Sequence, residues 1–160
     1  MERLVSDPYA CNHTIGGSVK PPGGPRPYSI LVVEDNRGDI FLLERALERQ
    51  HIDFQLTHLQ DGGEALAFVR GEGPYANTPR PDLILVNMNL PKVDGEEIVH
   101  EIRGARHLDG VPVCVWSDSE SLHERESLSR LGVDEFILKP SGLEQFMEIG
   151  KTVKDLLSRV

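Results

Sequence analysis

Four apolar runs in this chain end in side chains that could do chemistry. Glu34 and Asp35 follow residues 30–33, and Asn87 closes residues 83–86, with Asn89 two positions on. Ser117 follows residues 113–116, and Lys139 follows residues 136–138. Adjacent carboxylates and carbonyl oxygens are the hard donors that suit Mg²⁺, an ion that keeps several waters and accepts a phosphate oxygen as well. A lysine and a hydroxyl beside it would complete a pocket for a phosphoryl group. The end of the third run carries no nucleophile. The nitrogen lone pair of a carboxamide is delocalised and its oxygen carries no full charge, so Asn87 cannot attack phosphorus as a carboxylate can.

Such groups meet only if the runs are parallel strands of one sheet. Residues 30–33, 54–59, 83–86, 113–116 and 136–138 have strand length and a β-branched or aromatic character. Between them lie helical stripes: Ile40, Leu43, Ala46 and Leu47; Leu66, Phe68 and Val69; Ile98, Val99 and Ile102; Leu122, Leu128 and Leu131. A last helix carries Phe146, Ile149, Val153, Leu156, Leu157 and Val160. Parallel pairing requires crossover helices, and the unbroken apolar runs LILV and VCVW require cover on both faces. The expectation is an α/β, doubly wound (βα)5 three-layer sandwich. In open sheets of this kind ligands gather at the carboxyl ends of the strands, where the groups above stand.

Residues 1–27 contain KPPGGPRP and no periodicity, and are expected to be a flexible tail and linker, or else a short arm anchored by Tyr9 and Ile15. Residues 28–160 form the domain. The loop GEGPYANTPRP, residues 71–81, is turn-rich and expected to be exposed. A net charge of -9 without a Lys/Arg cluster argues against nucleic acid. Cys11 and Cys114 make no metal spacing, and no apolar run approaches a membrane span. Both point to a reduced, cytoplasmic protein away from membranes. The six histidines form no HExxH pair, and no G-x-S-x-G or P-loop pattern occurs. Cys114 and Trp116, inside an apolar run, are expected to pack in the core.

With VVEDN after the first strand, LP-x-x-DG after the third, a serine closing the fourth and LKP after the fifth, residues 28–160 resemble the receiver domain of two-component response regulators, the CheY-like superfamily. The stretch GEGPYANTPRPDLIL further resembles the single-domain regulators that serve phytochrome-type histidine kinases. The resemblance implies a flavodoxin-like parallel five-stranded sheet of order 2-1-3-4-5. It implies Mg²⁺ held by Glu34, Asp35 and the backbone carbonyl of Asn89, with Asp35 the more direct ligand. Lys139 would bridge to the phosphoryl group, ahead of a cis Pro140. Ser117 would be the switch hydroxyl and Phe136 the switch aromatic. The phosphoacceptor position, eight residues before Gly95, is Asn87, where the family has aspartate.

The reading is therefore a single-domain regulator in phosphorelay signalling that takes no phosphate at residue 87 and is not an enzyme. The asparagine is either a natural loss of the acceptor or an introduced replacement, and the retention of Glu34, Asp35, Ser117 and Lys139 leans toward recent loss or replacement. Mg²⁺ binding should be weakened or absent: losing one charge about 4 Å away forfeits about 4 kcal/mol at an effective dielectric of roughly 20. Lys139 would turn instead to Asp35 or the amide oxygen of Asn87. Partners would be a sensor histidine kinase and a second copy, through the face of helix 4, strand 5 and helix 5, where Leu157 and Val160 are expected to be exposed. The competing class is a Mg²⁺-dependent α/β phosphohydrolase, which needs a nucleophile or a base and usually a cap, and the chain has no cap-sized insertion.

Overall fold

The computed structural model describes residues 13–14, 26–118 and 122–160. One sheet contains β1 (His13–Thr14), β2 (Tyr28–Val33), β3 (Phe54–Leu59), β4 (Leu83–Asn87), β5 (Val113–Ser117) and β6 (Glu135–Leu138). Their order is β1-β3-β2-β4-β5-β6. β2 to β6 pair in parallel, and counted alone they have the order 2-1-3-4-5. β1 adds an antiparallel margin of two residues, with His13 opposite Leu56. That pair lies within residues 1–27, where no strand was expected; two residues are too few for a periodic signal. Residues 1–12 and 15–25, with Tyr9 and Ile15, lie outside the described residues.

The helices are α1 (Arg37–Arg49), α2 (Gly62–Arg70), α3 (Gly95–Gly104), α4 (Leu122–Arg130), α5 (Leu143–Met147) and α6 (Ile149–Leu157). Strand side chains alternate between two helical layers. Ile30, Leu85 and Trp116 pack with Leu43, Leu47, Phe146 and Val153 of α1, α5 and α6. Leu31, Ile84 and Val115 pack with Phe68, Ile98 and Leu128 of α2, α3 and α4. Every residue of β4 and β5 is buried, as the apolar runs require, Cys114 and Trp116 included.

Three helix starts are tied by short polar side chains. Asn36 accepts from the backbone N–H groups of Gly38 and Asp39, Asp61 from Glu64, and Asp94 from Glu97. Each such cap contributes about 1 kcal/mol. Asn36 closely follows the end of β2, which faces the crevice, so its cap also sets where the neighbouring acidic residues stand.

Several expectations are corrected. The last helix is interrupted at Glu148, which keeps φ -65° and ψ -21°; the apolar stripe continues across the break, so periodicity does not register it. Beside the break, a Cβ on Gly150 would collide with the Ala46 carbonyl, and its absence lets α6 lie against α1. That close contact buries Leu157, 2% exposed, whereas Val160 is 58% exposed. The 71–81 loop is not wholly exposed, since Tyr75 is buried edge-on against Phe68 at 5.7 Å. No peptide bond among the described residues is cis, that before Pro140 included; trans is the lower-energy form of an X–Pro bond. No helix among the described residues is long and apolar enough to cross a membrane.

Candidate functional site

The carboxyl ends of β2, β4, β5 and β6 converge, as the sequence requires. Glu34, the residue after β2, is fully buried. Its backbone N–H bonds to the Leu59 carbonyl at 2.9 Å, and His58 Nε2 lies 2.5 Å from its own carbonyl. Thus fixed, its carboxylate accepts from three sides: from the Asn36 N–H at 3.0 Å and Asn87 Nδ2 at 2.9 Å on one oxygen, and from Lys139 Nζ at 2.7 Å on the other. Burial pushes the Glu34 carboxyl up to about 7, and the Lys139 ammonium and the Asn36 N–H hold it from rising further. Asp35 is exposed and reaches Asn87 Nδ2 at 3.3 Å.

Asn87 closes β4 and is 2% exposed. Besides the two carboxylates, its Nδ2 faces the Asn89 carbonyl at 3.4 Å, while its Oδ1 accepts from the Asn89 N–H at 3.2 Å. Asn89 Nδ2 in turn reaches the buried Ser117 Oγ at 3.5 Å. The DG turn makes this possible: a Cβ on Gly95 would stand 2.7 Å from the Asn87 carbonyl oxygen and from the Met88 Cα. Only glycine lets α3 start so close to the strand end.

Lys139 departs from the expectation. It approaches neither Asp35 nor the amide oxygen of Asn87; its Nζ is held by Glu34 at 2.7 Å and by Asp39 at 2.8 Å, with only 4% of its side chain exposed. The ammonium also lies 4.8 Å from the centre of the Trp116 ring. Burial alone would lower the Lys139 pKa, but the carboxylates of Asp39 and Glu34 outweigh it and raise it. Charge accounts for the preference over the amide, since two carboxylates within hydrogen-bond reach attract an ammonium more than a neutral amide does; Asp35 is exposed and turned to Asn87 instead. Asp39 was not among the expected site residues. Its signal was its place in the first turn of α1, three positions after the Asn36 cap.

Phe136 of β6 is half-buried against the α2–α4 layer, and the Arg125 guanidinium of α4 lies 5.3 Å from its ring centre. It stands away from the polar crevice, on the side where α4 packs.

The crevice thus gathers Glu34, Asp35, Asp39, Asn87, Asn89, Ser117 and Lys139. It can hold a proton or bind a polar group, but its centre is an amide that neither attacks phosphorus nor carries charge. The residues match the chemistry of a Mg²⁺ site in donor type and miss it in arrangement. Glu34, Asp35 and the Asn89 carbonyl point at an N–H₂ group, which cannot coordinate a cation.

The model of the response regulator receiver domain family matches residues 30–151. The chain belongs to that family. This receiver is 37% identical to the response regulator Rcp1 of the cyanobacterium Synechocystis sp. over 123 residues, covering 77% of this chain and 84% of Rcp1. Among solved structures it resembles the phosphorylated cyanobacterial phytochrome response regulator RcpA, with 38% identity, a TM-score of 0.76, and coverage of 82% of this chain and 94% of that one. It also resembles the Mn²⁺-bound form of Rcp1, with 35% identity, a TM-score of 0.74, and coverage of 81% and 93%. The receiver is therefore close to single-domain regulators of phytochromes, and phosphorelay signalling is the activity of the group it falls in.

Proposed function

We propose that this receiver is a regulator of a phytochrome-type phosphorelay that takes no phosphoryl group at its acceptor position and signals by binding other proteins. The observation that carries the reading is Asn87 itself, at the meeting point of the strand ends and hydrogen-bonded to Glu34 and Asp35. A neutral carboxamide there removes the nucleophile, and with it a charge that would help hold Mg²⁺. Glu34, Asp35 and the Asn89 carbonyl are the remnant of that cation site. Ser117, Lys139 and Phe136 are the phosphoryl-binding and switch positions, retained without their trigger.

The partner on the input side is a sensor histidine kinase of the phytochrome class. Without phosphoryl chemistry, docking such a kinase sequesters it or positions it, and needs no turnover. A second copy would dock through α4, β6 and the α5–α6 segment, where Leu138 and Val160 are 45% and 58% exposed. An overall charge of -9 supports protein rather than nucleic-acid partners.

The test is incubation of the protein and of Asn87→Asp with acetyl phosphate and Mg²⁺, read by intact mass and peptide mapping. The native chain should gain no phosphoryl group at residue 87, and the Asp variant should gain one. Phosphorylation of the native chain at residue 87 would overturn the reading.

A further inference from the structure

We infer that the side-chain amide of Asn87 occupies the seat of the divalent cation, so that the acidic crevice is tied together from within and stands without metal. The inference rests on the reading above that this crevice descends from a receiver's cation site. It goes further than the loss of one charge, because it says that the place is taken.

Three oxygens, from Glu34, Asp35 and the Asn89 backbone, lie at 2.9, 3.3 and 3.4 Å from one nitrogen. The amide has two hydrogens, so Glu34 takes one and the other two acceptors share the second. The opposite end of the same side chain is also engaged, by the Asn89 N–H on Oδ1 at 3.2 Å. This second bond fixes the orientation. To offer Oδ1 to a cation the amide must turn over, and Nδ2 would then face the Asn89 N–H, donor against donor. The remaining oxygen of Glu34 and a carboxylate oxygen of Asp39 are taken by Lys139. An ion seated among these three oxygens would therefore have to displace the amide and break its hydrogen bonds to charged acceptors.

The hypotheses of a lost charge and of an occupied seat separate at Asn87→Ala. If only charge matters, alanine and asparagine bind Mg²⁺ equally poorly. If the amide fills the seat, removing it opens the site, and the Ala variant binds Mg²⁺ about tenfold more tightly than the native protein, the worth of roughly one charge-assisted hydrogen bond. Asn87→Asp should bind more tightly still. Binding is measured by titration calorimetry with Mg²⁺ and by the emission of Trp116, the single tryptophan, whose ring lies beside Lys139. Equal affinities of the native and Ala proteins would sink the inference.

Should the Ala variant not fold, the native protein decides by itself. Its Asn87 side-chain amide protons should be protected from exchange and keep their NMR shifts when Mg²⁺ is added. Shifts that follow the Mg²⁺ concentration would overturn the inference. Native binding of Mg²⁺ as tight as that of the Ala variant, without phosphorylation, defeats this inference alone, whereas phosphorylation at residue 87 defeats the reading beneath it.

Discussion

Glu34 has no contact with solvent and three hydrogen-bond donors around its carboxylate, and its protonation is coupled to folding. Its pKa stands at about 7 in the folded protein against 4.5 ordinarily, chiefly through burial. A raised value means that the folded state binds the proton more tightly, so this contribution to stability is full below pH 4.5 and is lost as pH climbs to about 7. Urea midpoints recorded across that interval should fall, and in Glu34→Gln the fall should flatten; a midpoint that rises instead counts against the assignment. For Lys139 the informative change is Asp39→Asn, which removes one of its two carboxylate partners and should cost about 1–2 kcal/mol in the same measurement. At this scale the sequence was legible where a residue ends a strand, as with Glu34, Asn87, Ser117 and Lys139. It was not legible where a partner is chosen by charge across the crevice, which is how Asp39 was missed and Lys139 misassigned.

At the scale of elements, the strands followed from apolar runs and the helices from apolar stripes, because both signals are local. Close approaches are not local, and two glycines carry them. Replacing Gly95 with alanine would force a Cβ to 2.7 Å from the Asn87 carbonyl and should destabilise the fold by about 1–3 kcal/mol, measured by chemical denaturation. It should also displace Asn87, so the side-chain amide signals of that residue should shift. A converse change lies at the end of α1, where His51 has φ 56°. His51→Gly removes the crowding of a side chain in the left-handed region and should stabilise the protein by roughly 0.5–1 kcal/mol; an unchanged or lower melting temperature would refute the claim. The interruption at Glu148 and the burial of Leu157 escaped the sequence for the same reason as the glycines. The burial of Leu157 belongs to the packing of α6 on α1, which no spacing along one helix records.

Over the whole molecule, two carboxylates bracket the pH range of greatest stability. Asp82 binds the Arg26 guanidinium at 2.7 and 2.8 Å and the Ser29 N–H at 2.8 Å, fastening the residue before Pro27 to the entry of β4. The hydrogen bond from Arg26 leads in holding its pKa below 3.8. A lowered value contributes stability that is present above pH 3.8 and lost as pH falls further. Loss at the acid end through Asp82 and at the neutral end through Glu34 places the optimum on the acid side of neutrality. A thermal-melt series against pH should peak there, and Asp82→Asn should soften the acid limb and leave the neutral limb in place.

The margins of the sheet carry one more consequence. An open sheet can recruit a foreign strand at either border, and long flat borders are where soluble proteins begin to form fibres. Here one border is the two-residue β1, which covers part of β3, and the other, β6, has four residues. Neither presents a long template. Concentrated samples held warm for days should stay clear and negative for thioflavin, and deleting residues 1–14 should shorten that lifetime by uncovering β3.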